Sequence, residues 1–161
     1  MERDHLFEAT EFNNIKEVIY DAVRKYNEKE VFVIKHKEEK EISYENISYN
    51  RMLEDINGLG TKLYEMGFKG KRIAVIGKNR YEWVLAHLTN LMGGIVSVPL
   101  DKDLQLEELE NSLIRSKADC IVFDPKLLEL IEQIKAKKIA SLQEYICMDK
   151  INGYKYIRCI E

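Results

Sequence analysis

A chain of 161 residues that is 45% hydrophobic and 33% charged, with a formal net charge of −3, suits one soluble α/β-sized domain able to bury about two-thirds of its unfolded surface without disulfide staples. The mild acidity argues against a nucleic-acid partner, which would require a clustered excess of Lys and Arg. Its one basic cluster, Lys135, Lys137 and Lys138, falls in the last turns of an expected helix, where cations complement the dipole, and reads as a solvated helix end.

The N-terminal stretch MERDHLFEAT is polar and has no apolar signal core, and no apolar run approaches the roughly 20 residues of a membrane span. No transmembrane segment is expected. Next, Asn13 to Asn27 carries Ile15, Val18, Ile19, Ala22, Val23 and Tyr26 at three- and four-residue spacing, predicting an amphipathic helix capped by Asn13 or Asn14. A hairpin is expected to follow, with Val31, Val33 and Lys35 alternating with Phe32 and Ile34. Lys35 to Glu41 (KHKEEKE) would be its polar turn, and Ile42 and Tyr44 would begin the return strand. From Ser48, the spacing of Leu53, Ile56, Leu59, Leu63 and Met66 predicts a second helix, with Gly67 as a left-handed cap.

Beyond Lys71 the pattern alternates. Strands are predicted at Arg72–Ile76, Ile95–Val98, Cys120–Phe123 and Tyr145–Met148, and helices at Tyr81–Met92, Leu106–Ser116 and Leu127–Lys137. Short, nearly continuous apolar strands separated by helices imply βαβ units on a parallel sheet. The fold expected is therefore α/β: a parallel βαβ sheet with flanking helices over residues 47–161, preceded by a helix and β-hairpin over 1–46, in a single unit of 1–161. After Met148, the segment DKINGYKYIRCIE opens another turn and strand and then stops, which points to truncation.

Cys120, Cys147 and Cys159 are odd in number and lack C-x-x-C spacing. They give neither a disulfide framework nor a zinc ribbon and fit a reducing cytoplasm. Cys120 and Cys147 sit in the apolar runs ADCIVF and EYICM and are expected in the core.

Candidate phosphate motifs fail on inspection. Gly77-Lys78 is followed by Asn79 rather than Ser or Thr, and the residue five before Gly77 is Arg72, so the G-x-x-x-x-G-K-[ST] loop is absent. Gly58, Gly60 and Gly67 do not make a dinucleotide fingerprint either, because Leu63 occupies the third glycine's place. Asn79 and Glu82 are instead expected to form a capping box at the start of the helix. His87 lies on a broad helical face with Trp83, Val84, Leu88 and Leu91 and reads as a packing histidine. One of Gly93 and Gly94 should supply a positive φ, and Pro99 should end its strand. Asp101 and Asp103 lie at the carboxyl end of a parallel strand, the edge where open α/β sheets place ligands. Helix capping by Asp103 ahead of Glu107 and Glu108 accounts for them equally. No nucleophile–base pair, G-x-S-x-G turn or paired histidine is present, so no catalytic, cofactor-binding or metal-binding residue is assigned.

Residues Ile47 to Phe123 resemble the N-terminal part of the adenylate-forming (AMP-binding) synthetases, with long-chain fatty acid–CoA ligases nearest in pattern. The resemblance is carried by Ser48-Tyr49, Gly67-x-x-Gly70, Arg72-Ile73-Ala74, Asn79, Glu82-Trp83, Gly94, Val98-Pro99-Leu100-Asp101 and Glu107 through Ala118. Lys71 and Lys102 depart from it, standing where many relatives have Asp and Pro. The resemblance implies a parent enzyme that uses ATP and magnesium to convert a fatty acid to an acyl-adenylate, then transfers the acyl group to coenzyme A. It also implies that the phosphate-cradling loop S-G-T-T-G-x-P-K-G, the Tyr-Gly-x-Thr-Glu segment, the ribose-binding Asp and the mobile-domain Lys lie outside this chain. The expectation is an inactive N-terminal fragment whose partner is the remainder of the synthetase, with self-association through the face the remainder would cover. A complete, non-catalytic α/β binding module is the alternative.

Overall fold

The computed structural model describes residues 10–38 and 41–159. Helix α1 spans Ile15–Tyr26, and Asn14 caps it by accepting from the Glu17 N–H at 3.0 Å. Of its apolar stripe only Val23 is fully buried, so α1 packs as an outer element against α2.

Strands β1 (Glu30–Glu38) and β2 (Glu41–Ser48) form an antiparallel pair of their own. The expected polar turn does not begin at Lys35, and two of its seven residues, Glu39 and Lys40, lie outside the described residues. Lys35, His36 and Lys37 continue β1, opposite Tyr44, Ser43 and Ile42. Polar side chains are compatible with a strand whose outer face meets water, and polarity alone therefore misplaces the reversal. Helix α2 follows over Tyr49–Glu65, its N-cap Ser48 accepting from the Arg51 N–H at 3.2 Å. Gly67 closes it at φ 84°, as expected. Met52, rather than Leu53, joins Ile56, Leu59 and Leu63 in the buried stripe.

The main sheet is five-stranded and parallel. It comprises β3 (Arg72–Ile76), β4 (Val96–Leu100), β5 (Cys120–Phe123), β6 (Glu144–Cys147) and β7 (Lys155–Tyr156), ordered β4-β3-β5-β6-β7. Helices α3 (Tyr81–Met92), α4 (Leu106–Ser116) and α5 (Leu128–Ala136) connect β3 to β6, and a 3-10 turn at Pro125–Leu127 leads into α5. Pro99, expected to end its strand, lies inside β4 opposite Val75. Because β4 is an edge strand, one of its sides has no neighbour and can take a residue without an N–H.

Alternation along β3 explains the layering. Ile73 and Val75 face a core shared with Ile56, Leu59 and Leu63 of α2 and Leu85 of α3. Ala74 and Ile76 face a second core with Leu109 and Leu113 of α4 and Ile131 and Ile134 of α5. A stretch buried on both faces must be apolar throughout, which is why Ile73 to Ile76, after the exposed Arg72, read as a continuous run. Each fully buried Leu or Ile contributes about 1.5–3 kcal/mol through removal from water. Cys120 and Cys147 are buried free thiols, as expected. The Cys159 side chain and residues 1–9, 39–40 and 160–161 lie outside the described residues. Among the described residues, no helix is long and apolar enough to cross a membrane.

Candidate functional site

The strand order creates a crevice. After β3 the chain builds β4 on one side, then crosses to place β5 on the other, so the connections after β3 and β4 diverge above the carboxyl end of β3. Open α/β sheets bind ligands at such a switch point. Three consecutive loops meet there: Gly77–Arg80 after β3, Asp101–Asp103 after β4 and Asp124–Lys126 after β5. They enclose a recess of about 120 Å³ lined by Gly77, Lys78, Lys102, Asp103, Asp124, Lys126 and Leu127. An adjoining cleft of about 270 Å³ is lined by Gly77, Asn79, Trp83, Leu100, Asp101 and Lys102.

Gly77 is the hinge between these spaces. A Cβ on it would stand 2.7 Å from the Asp124 Cβ and 3.3 Å from the Met148 Cε. Asp124 cannot easily give way, being 3% exposed and bonded twice: its backbone N–H donates to Ile76 O at 3.0 Å, and its Oδ1 accepts from the Lys126 N–H at 3.0 Å. The glycine is therefore set by close approach of β3 and β5, and not by a phosphate turn.

The recess holds three lysines against two carboxylates, Asp103 and Asp124, with Asp101 in the adjoining cleft. Asp124 is committed to the Lys126 backbone, Asp101 accepts from the Asp103 N–H at 2.9 Å, and Asp103 pairs with the Lys102 ammonium, whose pKa that hydrogen bond raises. The ammonium groups of Lys78 and Lys126 have no carboxylate partner among the described residues. Each of three adjacent strands thus delivers one lysine to the same opening, an arrangement able to hold an anionic group. No cluster of three or more His, Cys, Asp or Glu suited to a metal occurs among the described residues.

The expected capping roles are taken by other residues. Arg80, with extended backbone, is the N-cap of α3 and makes no side-chain cap. The Glu82 carboxylate does not reach back to Asn79 but accepts from Arg80 Nε at 2.6 Å, while the Arg80 fork donates to both oxygens of Asp149, each at 2.7 Å. Glu82 is 7% exposed, and a carboxylate that buried favours a cation over a backbone amide. These two acids hold the Arg80 pKa above its ordinary value, the Asp149 hydrogen bonds contributing most. Asp103 likewise does not cap α4. Gln105 is the N-cap, and Glu108 accepts from its backbone N–H at 3.0 Å.

His87 meets its expectation as a packing residue. Its Nδ1 is 2.8 Å from Ser97 Oγ, its ring stacks on Trp83 at 5.1 Å, and burial lowers its pKa. Gly94, at φ 66°, supplies the positive φ after α3. In the basic cluster, Lys137 pairs with Glu110 at 2.9 Å and Lys135 lies over the Tyr154 ring at 4.7 Å. Neither lysine faces the recess.

The family model described as "AMP-binding enzyme" matches residues 19–156. Among curated proteins, fatty acyl-CoA synthetase B of Dictyostelium discoideum is 28% identical over 160 residues, covering 95% of this chain and 24% of that protein. Medium-chain acyl-CoA ligase ACSF2, mitochondrial, of Rattus norvegicus is 31% identical over 109 residues, covering 66% of this chain and 17% of that protein. The chain thus spans about a quarter or less of the length of these relatives. Among solved structures, the anthranilate CoA ligase AuaEII in complex with anthranoyl-AMP superposes with a TM-score of 0.77 at 17% identity, over 92% of this chain and 27% of that one. The N-terminal domain of FACL13 from Mycobacterium tuberculosis gives a TM-score of 0.73 at 18% identity, over 84% and 34%. These likenesses establish the fold as that of the N-terminal domain of adenylate-forming enzymes.

Proposed function

The chain belongs to the AMP-binding enzyme family, and on that premise we propose that it is the N-terminal subdomain of an AMP-forming acyl-CoA synthetase. The parent reaction joins a fatty acid to coenzyme A. The acid's carboxylate attacks the α-phosphorus of ATP, pyrophosphate leaves with the bond's electron pair, and the thiol of coenzyme A then displaces AMP from the acyl carbon. Negative charge accumulates on the phosphoryl oxygens during the first step, so the reaction needs fixed cations and amide donors around them.

This chain's own contribution is the switch-point recess. Lys78, Lys102 and Lys126 present ammonium groups to an anionic, phosphate-bearing substrate, Gly77 lets β3 and β5 close beneath it, and Asp101, Asp103 and Asp124 hold the loops in shape. The convergence of one lysine from each of three adjacent parallel strands is the observation that carries this reading. Magnesium has no ligand set in these loops, and no step is assigned to it. The partner proposed is the remainder of the synthetase. Buried, unpaired Cys120 and Cys147 support a reducing compartment, the cytoplasm being the one proposed.

ATP–pyrophosphate exchange tests the assignment. The 161-residue chain should show no exchange that a fatty acid stimulates, while the same residues within a protein extended to the length of the relatives should show it. Fatty-acid-stimulated exchange by the short chain would refute its role as an incomplete subdomain. Absence of exchange from the extended protein would refute the acyl-CoA synthetase assignment.

A further inference from the structure

We propose that the cavity between α1, α2 and α3 is a binding site for a small, planar organic carboxylate. It measures about 210 Å³, far more than one water molecule needs, and lies toward the opposite end of α3 from the switch-point recess. Tyr20 of α1 and Tyr64 of α2 line it while 44% and 41% exposed, so ring surface from two helices is available to a flat ligand. Thr89 of α3 also lines it. This residue is 1% exposed, and its Oγ1 has no hydrogen-bond partner among the described residues. A buried hydroxyl in that state has lost its hydration without replacement, and a ligand oxygen seated beside it restores a bond. Gly60 is the second irregularity. It sits inside α2, where Ala is favoured, and a Cβ on it would meet only the Thr89 Cγ2 at 3.5 Å, an ordinary contact. Folding does not demand this glycine, but a side chain there would take up cavity space beside Thr89.

The charge at the cavity is positive. Lys16 lines it, and no carboxylate does. The Lys16 Nζ lies 5.8 Å from the centre of the Tyr20 ring and the Lys69 Nζ 5.7 Å from that of Tyr64, and neither ammonium has a carboxylate partner among the described residues. Acids on the neighbouring turns are engaged elsewhere or stand apart. Glu17 accepts from Asn13 and Asn14, Asp21 pairs with Arg24 and Lys25, Glu65 pairs with Lys62 at 2.8 Å, and Glu54 lies outside the lining. The carboxyl ends of α2 and α3 add partial negative charge of about half a unit each, which two ammonium groups exceed. Cation, ring surface and buried hydroxyl together match a carboxylate carried on a flat apolar body. An inorganic anion would leave the rings uncovered.

Benzoate titrated into the isotope-labelled chain reads the proposal through backbone amide shifts. The Gly60 and Thr89 amides should shift with a dissociation constant of about 1–10 mM, and benzamide, the neutral isostere, should bind about threefold more weakly. Lys16→Gln should weaken benzoate about two- to fivefold and leave benzamide unchanged. Gly60→Ala should raise the urea midpoint by about 0.4 M while weakening benzoate, and Gly60→Leu should weaken it about tenfold or more. Thr89→Val should weaken benzoate about threefold without lowering the midpoint. Affinity and stability thus move in opposite directions at Gly60, which a purely structural role would not produce. The proposal fails if no amide shifts, or if benzoate shifts only Gly77 and its neighbours, which would place the anion in the switch-point recess. It also fails if benzamide binds as tightly as benzoate, or if folded Gly60→Leu binds benzoate like the parent chain.

Discussion

Replacing Gly77 by Ala is the sharpest probe of how the switch-point recess is held. The new Cβ would lie 2.7 Å from the Asp124 Cβ and 3.4 Å from the Asp124 N, and both atoms belong to a residue anchored through Ile76 O and the Lys126 N–H. Overpacking of this kind costs about 1–3 kcal/mol. The φ of 157° adds backbone strain, because L side chains rarely adopt it. Gly94→Ala separates the two contributions: at φ 66° it meets nothing within 4 Å and should lose only the left-handed penalty of about 1 kcal/mol. Urea unfolding followed by tryptophan fluorescence of Trp83 would give both numbers. With a slope of about 2 kcal/mol per molar, Gly77→Ala should lower the midpoint by about 1–2 M and Gly94→Ala by about 0.5 M. If the two variants lose stability within about 0.5 kcal/mol of each other, the close approach of β3 and β5 is not what requires the glycine.

Two further outcomes follow from the charges around α3. Arg80→Ala leaves Glu82, 7% exposed, with only the Arg158 guanidinium at 3.8 Å as a cation among the described residues, and should cost about 2 kcal/mol, between the values for exposed and buried pairs. A double-mutant cycle with Asp149→Asn should return a coupling near 1 kcal/mol, and additive losses would show the fork to be ornamental. His87 governs a pH effect: burial lowers its pKa, so the unfolded chain binds the proton more readily. Its contribution is complete above the ordinary value of 6.5 and is lost as pH falls from there toward the lowered folded value. The urea midpoint should decline over that window in the parent chain, and His87→Gln should remove that part of the slope.

The parallel sheet was legible because β3 and β5 are buried on both faces and α4 is strongly amphipathic, so apolar runs and helical stripes marked their positions directly. The predicted Leu106–Ser116 and Cys120–Phe123 coincide with α4 and β5. Elements whose polarity is decided at long range were misread. Lys35 to Lys37 looked like a turn because nothing local marks an exposed strand, and the fate of Asn79 and Glu82 depended on Asp149, 69 residues beyond Arg80. Asp101 and Asp103 were placed at the correct sheet edge, yet the three lysines that give the recess its sign went unnoticed. Lys78, Lys102 and Lys126 are spaced about 24 residues apart, and only the crossing of the chain over β3 brings them together. A lysine two or three residues beyond the end of each of these strands was the signal available.

The position of β3 also bears on how the chain emerges from the ribosome. It is the second strand of its sheet in space but the first to be made, and its two neighbours are β4 and β5. Ile76 is synthesised 47 residues before Phe123, which completes the second neighbour. At ordinary elongation rates of about 5–20 residues per second, the strand RIAVI waits roughly 2–10 s with one hydrogen-bonding edge open. An apolar strand with an open edge is the segment most prone to wrong pairing. Nascent chains stalled between β4 and β5 should therefore be the species that chaperones hold and that aggregate when synthesis outpaces folding.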